Sequence, residues 1–511
     1  MVYPAAAPFS SFSFVESEFN GINSVRRCFS LARSLGMQTV TLEEIPEKGI
    51  IADENDEISR YFRDYECGGV IRLGFWTKSF RSDKRIHQLS GRDLIGYAIL
   101  KRDIIESEAY DRWHVFEAVF KKYPHPHNCI PAPTVFKVTI GDKHCSVRGV
   151  LYCQQNSLNK ACAHVALRSL LSRHLPEGDI TYRKINDLAG IHPGNGRKPG
   201  DGLNVVEIRK VLEGLGIGFR DIDYTLDGSL RETHPYQKFL YAGIESGAGS
   251  LLGFHFSGPV VSSREPPRHI IPFFGHTFNK DTWVPDAELS YFNVGGGVGY
   301  VPSENWTSSF IGHDDNFGSN YCVPRLYVSQ EQADYVVELL NKDVQYSGVQ
   351  AEAVTLNFIY SLQPFLAKSS RKNNWNKRLV AFIKTKKIVL RAIFIPKSTY
   401  LKQLKSKADW DGKREDKDIV GLLENLLPDN MWVVEISLPQ LFPANERKIG
   451  EVLLNPYVPV DAEPDVDFKL FLMARLPGQY FFLNSLRTTT PDFLRISSTI
   501  QSHMPLIRHA R

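Results

Sequence analysis

Cysteine is scarce in this sequence: seven residues in 511, at positions 28, 67, 129, 145, 153, 162 and 322, odd in number and without regular spacing. That pattern argues against a disulfide framework and for a reducing, cytoplasmic compartment. Long apolar runs are missing too. No stretch of about 18 apolar residues is present, so no membrane-spanning helix is expected. The opening MVYPAAAPFSSFSF lacks the basic segment and apolar core of a secretory leader. Charge of one sign is also lacking: 61 Lys and Arg stand against 57 Asp and Glu, a net +4 that points to no particular partner. No internal repeat of about 20–50 residues is visible, which argues against solenoids and propellers.

What is present is an ordinary globular composition, 42% apolar and 23% charged, enough to build cores without staples or metals. A chain this long divides into several domains, and the pattern predicts an α+β protein in three parts. Residues 1–144 carry a helix, INSVRRCFSLARSLG, closed at Gly36, then an acidic stretch, DENDEISRYFRDYE. The runs GGVIRLGFW, DLIGYAILK, WHVFEAVF and TVFKVTI then read as antiparallel strands. Residues 145–325 read as a helix from Cys162, a helix in ITYRKINDLAG, and a helix capped by Asn204 and closed at Gly216. The segments FLYAGIESG, SLLGFHF and HIIPFFGHTF look like strands. Residues 326–511 begin with a predicted helix, SQEQADYVVELLNKD, followed by strands in RLVAFIK, KIVLRAIFI, NMWVVEISL and DFKLFLMARL.

The middle part holds the residues that carry chemistry. A thiol nucleophile is best placed at a helix N-terminus, where unpaired N–H groups and the helix dipole favour the thiolate. Cys162 opens the helix CAHVALRSLL directly after the polar loop NSLNKA. Such a site also needs a histidine within reach, a polar residue to orient the ring, and an amide to face the developing oxyanion. His269 leads the apolar run IIPFF, with Gly275 at the expected strand turn; Asp286 follows in DTWVPDAE, and Gln154 and Gln155 precede the cysteine.

In this order and context the segment from about 145 to 300 resembles the papain-like cysteine peptidase superfamily, in particular the bacterial branch that trims double-glycine leaders of bacteriocins. The resemblance implies a papain-like domain of a helix plus an antiparallel sheet. It casts Cys162 as nucleophile, His269 as general base and acid, Asp286 as orienter and Gln155 as oxyanion donor. Two positions depart from the family pattern. Gln155 stands one residue further from the cysteine than the usual six, and Ala163 occupies a position that is often glycine. The implied substrate is a peptide or protein, with no cofactor and no metal.

Plainer readings compete with these. Free cysteine is often a small buried hydrophobe. Asp281 and Asn279 share the expected hairpin with Asp286, and His276, past the glycine, is expected to point outward. His164 is expected to pack or cap. Residues 123–129, YPHPHNC, with His144 and Cys145, contain zinc-ligand types but no standard spacing, so a solvent loop is expected. Residues 368–417 carry 16 Lys and Arg against 4 Asp and Glu, with aromatics interspersed. That composition suits a phosphate-tracking groove, although a solvated charged face is the usual cause. The sequence thus predicts a cysteine-dependent hydrolase, most simply a peptidase. The alternative is a catalytically idle papain-like scaffold that binds protein or nucleic acid.

Overall fold

The computed structural model describes residues 1–19, 21–122, 128–193, 199–256, 267–278, 288–289, 299–369, 373–459, 468–485 and 492–509. The chain is α+β and is organised around three large sheets. Among the described residues no helix is long and apolar enough to cross a membrane.

The first sheet runs in sequence order, Val2–Ala6, Thr39–Glu44, Tyr65–Trp76, Leu94–Ile105 and Tyr110–Phe120, all antiparallel. Because strand side chains alternate, its two faces feed different cores. Leu73, Phe75, Ala98, Leu100, Val115 and Phe120 pack on the helix Asn23–Ser34 through Val25, Phe29 and Ala32. Trp76, Tyr97, Ile99, Phe116 and Val119 turn the other way, into the core that holds the helix Cys162–Leu171.

The central sheet has the order Gly318–Pro324, Thr307–Asp314, Arg268–Phe278, Ser250–His255, Ala333–Leu339, Phe219–Asp223, with Asn128–Cys129 paired beside Arg268–Phe278. Alternation sorts this sheet as well. Leu251, Ile270, Phe274, Ile311 and Val337 face the helices Cys162–Leu171, Tyr182–Ala189 and Val205–Gly214. Leu252, Ile271, Phe273, Phe310 and Val336 face the helix Tyr236–Glu245. The first and central sheets therefore share one core with the cysteine helix between them. The third sheet is built from Glu288–Leu289, Gly299–Pro302, Val389–Pro396, Asn430–Ser437, Gly450–Leu454, Phe471–Leu476, Gln479–Ser485 and Asp492–Ser497.

Several expectations hold locally. Asn204 accepts the Glu207 N–H in a capping box, and Gly36 and Gly216 sit at positive φ at their helix ends. Others are overturned by tertiary context. SQEQADYVVELLNKD is not a helix; Ala333–Leu339 is a strand paired on both sides, and a strand buried on both faces reads as a continuous apolar run. FLYAGIESG and RLVAFIK are not strands but parts of the helices Tyr236–Glu245 and Asn374–Lys384. The division at 144/145 falls inside the hairpin Thr134–Ile140/Lys143–Gly149, and that at 325/326 detaches Ala333–Leu339 from the central sheet. Gly299–Pro302 pairs in parallel with Val389–Pro396, so the third sheet starts before residue 325. Strand pairing in these sheets thus joins segments that are distant along the chain.

Gly275 is not a turn either. The strand continues to Phe278, and Gly275 is glycine because the Cys129 carbonyl lies 2.8 Å from where its Cβ would be. His276 is accordingly buried, 2.6 Å from Glu245 Oε1, instead of pointing outward. Residues 123–127 lie outside the described residues, while His144 is exposed against Thr139 Oγ1. The basic residues of 368–417 that the structure describes are spread over several helices, the strand Val389–Pro396 and the turns between them, not along one face of one element. One of them, Arg391, is buried between Glu245 and Glu435.

Candidate active site

The nucleophile position is built by the loop that precedes it. Asn156 Oδ1 accepts the Leu158 and Asn159 N–H groups, and its Nδ2 donates to Glu54 Oε1 at 3.1 Å. Gly200 passes so close that a Cβ there would stand 2.5 Å from the Ser157 carbonyl oxygen. Lys160, wholly buried, donates to Glu54 Oε1 at 2.7 Å and to His114 Nε2 at 3.2 Å, with its ammonium over the Phe116 and Tyr182 rings. Burial lowers the Lys160 pKa, with Glu54 opposing; burial likewise keeps His114 neutral. Lys101 is also buried here, 2.8 Å from Asp103.

Ala161 is extended, and the helix starts at Cys162. His164, the third helical residue, accepts the Ala161 N–H at Nδ1 and bonds Asn186 Oδ1 through Nε2 at 2.8 Å, so it caps the helix as expected. As the first helical residue, Cys162 has no intrahelical acceptor for its own N–H, and its side chain is partly exposed.

His269 comes from the strand Arg268–Phe278, which packs directly on the cysteine helix. Pro272 shapes the meeting. It has no N–H to donate, and pairing with Thr307–Asp314 reaches only Phe273↔Gly312. Beyond that point a small cavity opens, lined by Cys153, Cys162, Ile270, Pro272, His313 and Asp315 among others. The His269 ring is buried and stacked on exposed Phe256 at 6.2 Å. Its Nε2 lies 3.3 Å from Asp314 Oδ2 and 3.4 Å from Asp315 Oδ1. Burial opposes the charged ring, but hydrogen bonds to Asp314 and Cys162 and the charges of Asp315 and Asp314 carry its pKa up to about 10.

Asp314 closes the strand Thr307–Asp314 and starts the turn to Gly318–Pro324. Its Oδ1 accepts the Asn316 and Phe317 N–H groups, which fixes the carboxylate and aims Oδ2 at His269. Burial resists its ionisation, yet His269 and these N–H groups hold it below the ordinary carboxylate range. Asp315 behaves differently: burial pushes its carboxyl up to about 6, although His269 pulls the other way.

Gln155 donates from Nε2 to Asn316 Oδ1 at 3.4 Å, beside the same turn. Gln154 is tied instead to the strand Tyr110–Phe120 through both its backbone and its side chain at Val115. Of the residues singled out in the sequence, Cys162 and His269 lie on elements that pack together and Gln155 reaches the turn that carries Asp314, while Asp286, with Asp281 and Asn279, lies outside the described residues. Among the described residues the acids at the imidazole are Asp314 and Asp315, which sequence reasoning missed. The available signal was HDDNFG after an apolar strand, a turn with an Asx start and a glycine. It announces a hairpin without saying which histidine it meets. The buried Lys160–Glu54 pair was missed as well.

No protein-family profile, curated protein or solved structure matches the chain.

Proposed function

We propose that the chain is a cysteine-dependent hydrolase with a papain-like central unit, most simply a peptidase. The Cys162 sulfur attacks a peptide or amide carbonyl, and His269 takes the thiol proton at Nδ1 and passes it to the leaving amine. Asp314 holds the ring through Nε2, and the Cys162 N–H with the Gln155 amide receives the oxyanion. Water, deprotonated by His269, then cleaves the thioester and restores the thiol. The observation that supports this reading is the packing of the His269 strand on the helix that Cys162 opens, with Asp314 3.3 Å from the imidazole. All seven cysteines are free thiols, which supports a reducing, cytoplasmic setting.

The test is incubation of the full chain with an unbiased peptide library and with activated acyl esters, read by mass spectrometry. Cleavage together with an acyl adduct on Cys162, both lost in Cys162→Ser, is the expected result. If neither product forms, the chain is an idle scaffold and the hydrolase reading fails.

A further inference from the structure

Three groups of buried side chains among the described residues bring metal-donor atoms within 4.8 Å of one another: Glu54–Asp103–His114, Cys129–Glu245–His276 and His269–Asp314–Asp315. The first two already contain a cation. Lys160 and Lys101 sit 2.7 Å and 2.8 Å from Glu54 and Asp103. The Arg391 guanidinium sits 2.8 Å from Glu245, with His509 at 2.9 Å. A dication in either group would lie against a resident positive charge. In the third group no lysine or arginine among the described residues pairs with Asp314 or Asp315; the only cation they face is the imidazole itself.

The distances in that third group are informative. A charge-assisted N–H···O⁻ bond closes to about 2.7–2.9 Å, and His276 on Glu245 does so at 2.6 Å. His269 Nε2 instead stands 3.3 and 3.4 Å from its two carboxylate oxygens. Tetrahedral zinc with bonds of about 2.0–2.2 Å places neighbouring ligand atoms about 3.3–3.5 Å apart, which matches both separations. One atom also lacks a partner: Asp315 Oδ2 is buried with no hydrogen bond, on a side chain only 3% exposed that lines the cavity beside Cys162. A buried carboxylate oxygen left unpaired is a standing cost to the fold.

We infer that His269, Asp314 and Asp315 form a binding site for a zinc-class divalent cation, with water in the remaining position, and that the bound metal silences Cys162. Cys162 is outside the donor set. The silencing part rests on the proposed hydrolase: metal at Nε2 leaves the ring proton on Nδ1, so the ring has no lone pair for the thiol proton. The site itself does not depend on that reading.

The experiment is calorimetric titration of chelator-stripped full-length protein with zinc chloride, alongside Asp314→Asn, Asp315→Asn and Cys162→Ser, each checked for folding by circular dichroism. Wild type and Cys162→Ser bind one equivalent. Each Asp→Asn change weakens binding by more than the ~10–100-fold expected for loss of a mere supporting partner. Cobalt substitution gives tetrahedral d–d bands without thiolate charge transfer, and zinc slows alkylation of Cys162 reversibly. No saturable binding, or binding indifferent to both Asp→Asn changes, overturns the site. A thiolate band lost in Cys162→Ser overturns the donor set, and alkylation untouched by bound zinc overturns the silencing. Slow alkylation of Cys162 before any metal is added sinks the hydrolase alone, because the titration still reads the site.

Discussion

Glu54→Gln strands the Lys160 ammonium inside the protein, and the consequence can be worked from the contacts. Lys160 Nζ lies 2.7 Å from Glu54 Oε1, with side-chain exposures of 0% and 1%. Its other polar contact is neutral His114 at 3.2 Å. Removing one member of a buried ion pair costs about 3–5 kcal/mol, and Glu54→Gln belongs at the upper end because no other carboxylate pairs with Lys160 among the described residues. Lys160→Met belongs at the lower end, since Glu54 keeps Lys101 at 3.9 Å. The double variant removes both charges and fills the space with an apolar stem, so the single effects fail to add by about 2–3 kcal/mol. Urea unfolding followed by tryptophan fluorescence measures the cycle. Strictly additive effects, or single effects under about 0.5 kcal/mol, would refute the claim that this buried pair fixes the loop 156–161.

Three further outcomes are expected. Asp314→Asn keeps an oxygen for the Asn316 and Phe317 N–H groups but loses the charge facing His269. Alkylation of Cys162 should slow by roughly tenfold or more, short of the ~10⁴ seen in serine triads because a thiol needs less activation; an unchanged rate argues against Asp314 as the orienter. In chelator, the stability that His269 contributes is complete below its unfolded value of about 6.5 and fades as pH rises through about 10. The urea-midpoint gap between wild type and His269→Gln should accordingly narrow from pH 7 to pH 10, and a constant gap contradicts the assigned partners. Glu338 is fully buried in the strand Ala333–Leu339, and burial raises its pKa to about 8. A raised carboxyl stabilises the fold at low pH and loses that contribution as pH climbs through its folded value. Glu338→Gln should therefore outlast wild type at pH 9 but not at pH 5, as thermal melts at the two pH values will report.

The sequence carried the parts of the site that depend on local structure. A polar loop running into an apolar helix placed Cys162, an apolar strand placed His269, and Asn204, Gly36 and Gly216 announced helix ends through their own side chain or φ. What it withheld is set by pairing between distant segments. Asp314 reaches His269 from 45 residues away, and that depends on which strand lies beside Arg268–Phe278. Ala333–Leu339 and Tyr236–Glu245 exchanged their expected identities because a run buried on all sides has no amphipathic period to read. Lys160 and Glu54, polar and in ordinary loop and helix contexts, are joined only when the first sheet docks on the cysteine helix.

Alkylation of all seven cysteines by iodoacetamide, timed residue by residue by mass spectrometry with chelator present, addresses the account at its root. Cys162 is predicted to react far ahead of the other six near neutral pH and to lose that lead in His269→Ala. A Cys162 no faster than exposed Cys322, or one whose rate ignores the loss of His269, would contradict it.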